Sequence, residues 1–269
     1  MAWSSRAHTN IGRFRCWTVL LPMVLIACGG GGQSPPDAVA HDAPRVDGAI
    51  SPQLDAHVGQ ATALTHTLYI NTEGVAIAPG ADDAVANKSS VVASAATLKP
   101  WLMTDAARQT KITNLVTEVQ AILQPYDVAV VTSRPASGSY DMLVITDNTS
   151  ASVGLPAGAG GTTPATCNAT PAVVSFLFGP SYSSSPDLTV RHTFATLAVA
   201  MFAIEAGIPG SNVAQDCMCY AGASCPATLT APCTIGGAGI AIDSLLPCAA
   251  TGTTMNEGAA FLAAYGPHP

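Results

Sequence analysis

Charged side chains are scarce in this chain. They make up 10% of its 269 residues, well below the usual share of about 25%. Basic residues are the rarer kind, ten against seventeen acidic ones, and they form no patch able to neutralise phosphates. That excludes nucleic acid as a partner. No apolar run is long enough for a transmembrane helix. The one around Phe194–Ile204 is bounded by His192 and Glu205. The serines from Ser181 to Ser185 lack a Gly-x-Ser-x-Gly elbow, so nothing marks a serine nucleophile. No internal repeat is present. Ala, Gly, Ser and Thr fill the places that charge leaves, which suits an exported surface.

The amino terminus sets the compartment. Arg6, Arg13 and Arg15 form a basic region, and Cys16 to Ala27 is an apolar stretch of signal-peptide length. It closes on Leu25-Ile26-Ala27-Cys28, which resembles a bacterial lipobox. Residues 1–27 are therefore expected to be a lipoprotein signal peptide, with Cys28 the lipidated first residue of the mature chain. Anchoring by acyl chains then replaces spanning. Gly29, rather than Asp, follows the cysteine, which by analogy favours the outer membrane, with the domain periplasmic or on the cell surface. Removal of 1–27 takes three basic residues and no acidic one, leaving seven against seventeen, a net charge of −10.

Cys16 and Cys28 belong to the export signal. The other six cysteines are Cys167, Cys217, Cys219, Cys225, Cys233 and Cys248. An even number in an oxidising compartment predicts three disulfides, of unspecified connectivity. A thiolate zinc site is the rival reading, but Cys217-Met218-Cys219 has the wrong spacing for a zinc knuckle.

Residues 28–65 are Gly-, Pro-, Ala- and Asp-rich without periodicity and read as a flexible tether. Residues 66–269 suit one domain. His66 to Asn71 alternates as a strand, and Val75 to Ala78 is a second short run that would close a hairpin with it. Asp82 and Asp83 fall in a polar turn, where capping competes with calcium binding. From Thr104 to Gln124, Ile112, Leu115, Val116, Val119, Ile122 and Leu123 recur at helical spacing. Asp105 stands near the start of that helix and Pro125 stops it. Strands are expected over Asp127–Ser133, Tyr140–Thr146 and Ala172–Phe178, with a Gly- and Thr-rich loop before the last. Ser185-Pro186-Asp187 resembles a helix start, and the helix after it is apolar on nearly every face, so it belongs in the core. Cys217 to Cys248 reads as loop, and Asn256 to Tyr265 as a closing helix.

Thr189 to Tyr220 resembles the active-site segment of the metzincin zinc peptidases, in particular matrixin-like bacterial lipoproteins. Tyr126 to Tyr140 is the longest similar stretch. Asp82-Asp83-Ala84, the Met-turn-like Asp216-Cys217-Met218-Cys219-Tyr220 and Asn256 to Pro269 add to it. The family motif HExxHxxGxxH places two zinc histidines one helical turn apart, a general-base glutamate beside the first, and a glycine turn before the third. Those positions fall here on Thr196, Leu197, Ala200, Ala203 and Ala206. A second register, starting at His192, puts Thr196 and Phe202 at the other two ligands. No register supplies two histidines.

The resemblance implies an α/β (α+β) metzincin-like fold, a twisted mixed sheet on two main helices with a cysteine-rich loop region and a C-terminal helix. It implies no zinc, since Ala and Leu carry no donor and Thr is a poor ligand, and no general base at Leu197. A β-carbon at Ala203 resists the turn that glycine accepts, so the helix is expected to continue and to end near Gly207. Met218 is expected to fill core, His192 to be packed or solvent-facing, and Glu205 to be a surface carboxylate. The expected function is a catalytically inactive, membrane-anchored peptidase-like protein with an apolar cleft near Thr196, Ala200, Ala206 and Met218 for a peptide or partner protein. A secreted hydrolase with a non-standard site, or a structural envelope lipoprotein, are the alternatives.

Overall fold

The second half of His66–Asn71 and all of Val174–Phe178 are buried residue after residue, as in strands covered on two faces. The computed structural model describes residues 64–164, 172–220, 224–242 and 253–269, with the backbone of 24–28. In chain order the first half contains β1 (Val24–Cys28), β2 (His66–Asn71), β3 (Val75–Pro79), β4 (Lys88–Ser89), β5 (Ala96–Leu98), α1 (Arg108–Leu123), β6 (Val128–Val131) and β7 (Asp141–Thr146). Then come β8 (Ala159–Pro164), β9 (Val174–Phe178), α2 (Asp187–Glu205), β10 (Ala238–Ala241), β11 (Thr254–Asn256) and α3 (Glu257–Tyr265).

The main sheet has the order β1-β8-β9-β7-β2-β6. Strands β2, β6, β7 and β9 are mutually parallel, β8 runs antiparallel to β9, and β1 runs antiparallel to β8. On one face Leu68, Ile70, Val128, Val130, Leu143, Ile145 and Leu177 pack with α1 and α2 into the larger core. On the other, Tyr69, Met142, Val144, Phe176 and Phe178 pack against Ile77 and Leu98 of the small β4-β3-β5 sheet. A mixed sheet on two main helices is thus the architecture of the described domain.

The structure departs from the sequence reading at several places. β2 and β3 do not form a hairpin: β2 pairs in parallel with β6 and β7, while β3 pairs with β4 and β5. The turn between them is built for a crossing. Gly74 has φ +77, and a Cβ there would stand 2.4 Å from the carbonyl oxygen of Leu98. Helix α1 begins at Arg108, not Thr104. Asp105 stays in the preceding turn, accepting from the Ala107 N–H at 2.7 Å and holding Lys111 Nζ at 2.6 Å. Helix α2 begins at Asp187 with no side-chain cap, so Ser185 does not serve as one. The Gly- and Thr-rich stretch is strand β8, and the cysteine-rich region contributes β10. Asp82 and Asp83 organise a turn: Asp82 accepts from Ser89 and Ser90, and Asp83 accepts from the Ala86 N–H.

Two disulfides join Cys217 to Cys233 and Cys219 to Cys225. Cys167 and Cys248 lie outside the described residues. The first bridge closes a loop of sequence separation 16, which by chain entropy contributes about 3 kcal/mol. A Cys217→Ala/Cys233→Ala variant should lose about that much in denaturant unfolding. An unchanged midpoint would show the bridge to be dispensable.

Candidate functional site

Helix α2 is buried over almost its whole length, from His192 to Glu205. Thr196, Leu197, Ala200 and Ala203 are 3%, 5%, 1% and 0% exposed. The Thr196 hydroxyl donates to the His192 carbonyl at 2.9 Å, one turn back along its own helix. His192 is packed: its Nδ1 lies 2.7 Å from Glu118 Oε1 of α1, and Arg191 Nε lies 2.9 Å from the other oxygen of that carboxylate. These contacts clamp the two helices together.

The helix runs through Ala203 without a turn and ends where the sequence predicts. Gly207 has φ +83, its N–H donates to the Ile204 carbonyl, and the Ile208 N–H donates to that of Ala203. That pair of bonds is a Schellman closure, with glycine supplying the left-handed residue. Ten residues of helix between Thr196 and Ala206 span about 15 Å of rise. Metal–nitrogen bonds of about 2 Å cannot bring side chains from both ends to one ion. Neither the donors nor the backbone at these positions fit zinc.

The Met-turn-like segment packs beneath this helix. Met218 and Cys217 are fully buried in the core that contains α2. Asp216 fixes the turn, accepting from Ser211 Oγ at 2.7 Å and from the Met218 N–H at 2.9 Å. Farther on, the Leu229 N–H donates to Thr193 Oγ1 at 3.0 Å, and Leu229 is 4% exposed. Thr193, Thr196 and Ala200 share one helix face, so the cysteine-bridged loop lies on the face where an open cleft was expected. Of the four cleft residues named from the sequence, Ala206 lines a cavity at the end of α2, while Thr196, Ala200 and Met218 are buried.

Glu205 is the principal correction. It is 4% exposed, not a surface carboxylate. Its Oε1 accepts from Ser175 Oγ of β9 at 2.5 Å and from Thr163 Oγ1 of β8 at 3.1 Å. Burial, then the negative charge of Asp141, hold its proton well above the ordinary carboxyl range against those two bonds. Asp141, at the start of β7, is itself pushed up to about 6 by burial, although the N–H groups of Val173 and Ala172 donate to it.

A second buried carboxyl pair lies under the turn. Glu257, the first residue of α3, is wholly buried, and its Oε2 accepts from the Gly236 N–H at 2.7 Å. Burial, followed by a proton-mediated bond to Asp216 and the charge of that residue, raises its pKa to about 9. Two carboxyls side by side cannot both ionise in a dry site. Sequence spacing hides both pairs, because Asp141 precedes Glu205, and Asp216 precedes Glu257, by dozens of residues. The only local signal was Glu205 itself, an acid closing an otherwise apolar helix. No family model, curated protein or solved structure matches this chain.

Proposed function

We propose that the chain is a lipid-anchored extracytoplasmic protein of metzincin-like fold that has given up zinc catalysis and holds an extended peptide at the edge of its sheet. The reading rests first on the residues of α2, where Thr196, Leu197, Ala200 and Ala206 offer neither a ligand set nor a general base. The strand order supports it: a parallel sheet ends in one antiparallel strand, β8, with α2 beneath. The observation that carries peptide binding is what lies on that edge. Val24–Cys28 runs along it as an antiparallel strand, from Val24 opposite Pro164 to Cys28 opposite Ala159. Signal-peptide cleavage before Cys28 removes all of that strand but its last residue. The outward N–H and C=O groups of β8 are then open to another strand, and main-chain pairing of this kind tolerates many sequences.

The mature chain from Cys28 onward, made with Cys28→Ser, tests both halves. It should purify without stoichiometric zinc and show no chelator-sensitive peptide hydrolysis. A peptide spanning residues 21–27, added back, should protect the backbone amides of 159–164 from hydrogen exchange. Zinc at one equivalent with chelator-sensitive cleavage would overturn the inactive reading. Chelator-insensitive cleavage would point to a hydrolase with a non-standard site. Absence of amide protection at saturating peptide would leave a structural envelope lipoprotein.

A further inference from the structure

A cavity of about 150 Å³ opens where the starts of β2 and β7 meet the ends of α2 and α3. Its walls include His66, Tyr140, Asp141, Phe202, Glu205 and Tyr265. We propose that this cavity binds the ammonium group of a small organic amine between Asp141 and Glu205, with the alkyl portion against the aromatic walls.

Size, charge and wall chemistry agree. A cavity of this volume accepts a ligand of about six heavy atoms, as an engineered cavity of similar size accepts benzene. Two carboxyls line it and no Lys or Arg does. An ammonium placed between them would offset the burial and, after it, the negative charge of Asp141, which together raise the proton affinity of Glu205. Asp141 and Glu205 are fixed in place beforehand, one by the Val173 N–H and the other by Ser175 and Thr163, so little ordering is needed on binding. Phe202 and Tyr265 stack at 4.5 Å, with the His66 ring edge-on to Tyr265 at 5.3 Å. Their apolar surface would cover the alkyl portion of the ligand. A divalent metal suits the site less, because no group of three His, Cys, Asp or Glu side chains able to hold one occurs among the described residues. The alkylammonium can come from a free amine or from a lysine side chain of a bound peptide.

Calorimetric titration at neutral pH separates these. The probes are n-butylammonium, neutral 1-butanol, and an acetylated, amidated Gly-Lys-Gly peptide. n-Butylammonium is expected to bind with a Kd of about 1 mM or tighter, and 1-butanol at least about tenfold more weakly. Asp141→Asn and Glu205→Gln should each weaken the cation about tenfold, with a cooperative thermal melt showing that each variant folds. Tighter binding of the peptide assigns the site to a lysine side chain, and weaker or equal binding assigns it to a free amine. Equal affinity for butanol, no saturable binding of either cation, or folded variants with wild-type affinity would each overturn the proposal.

Discussion

The wild-type protein is expected to lose stability steadily from pH 5 to pH 9, and Glu257→Gln is expected to make that loss shallower by the share Glu257 contributes. Glu257 has its pKa raised to about 9 in the fold, against about 4.3 in an unfolded chain. Between those values the folded state holds a proton that the unfolded state has released. Its contribution is therefore complete below the unfolded pKa and vanishes as pH rises through the folded one. The part of this shift that falls between pH 5 and pH 9 amounts to roughly 5 kcal/mol, or about 10–20 °C in thermal midpoint for a domain of this length. Glu205 and Asp141, also raised, act in the same direction. Glutamine copies the protonated acid, with its oxygen accepting from Gly236 and its amide donating to Asp216. The variant should match wild type at pH 5 and exceed it at pH 9. Thermal melts across that range decide the matter: a flat wild-type profile, or one that Glu257→Gln leaves equally steep, would remove the shared proton from the account.

The contrast between this pair and the rest of the fold marks what a sequence displays. Helix α1 was legible because Ile112, Leu115, Val116, Val119 and Leu123 repeat at helical spacing and all five are buried. The end of α2 was legible because one glycine follows a β-carbon-bearing run. Strand β8 was not, because Ala159, Gly160, Gly161, Thr162 and Thr163 carry little apolar signal. Their burial comes from neighbours, since Tyr182 and Met201 press within 2.4 Å of where a Cβ on Gly160 or Gly161 would stand. The lost hairpin has the same origin: Gly74 approaches Leu98, a residue no local pattern points to. The carboxyl pairs depend on tertiary approach alone, so neither Asp141 nor Asp216 announces its partner.

Writing the metzincin motif onto this helix should unfold the protein rather than create a zinc site. The full replacement is Thr196→His, Leu197→Glu, Ala200→His, Ala203→Gly and Ala206→His. At Ala200, 1% exposed, an imidazole overfills a packed core at a cost of about 1–3 kcal/mol. A carboxylate at Leu197, 5% exposed, is buried without a cation, which costs several kcal/mol more. Glycine at 203 weakens the helix interior by about 1 kcal/mol. The sum reaches the range of a typical folding stability of about 5–15 kcal/mol. Ala206→His alone, at a half-buried position on the cavity rim, should fold. Circular dichroism and zinc analysis of both variants give the readout. A cooperatively folded quintuple variant carrying one equivalent of zinc would mean that the helix still breaks at 203 and that the cysteine-bridged loop lifts from Thr193. Otherwise packing alone accounts for the closed face: α2 continues through Ala203 to Gly207, and Leu229 covers the face that a metal would need open.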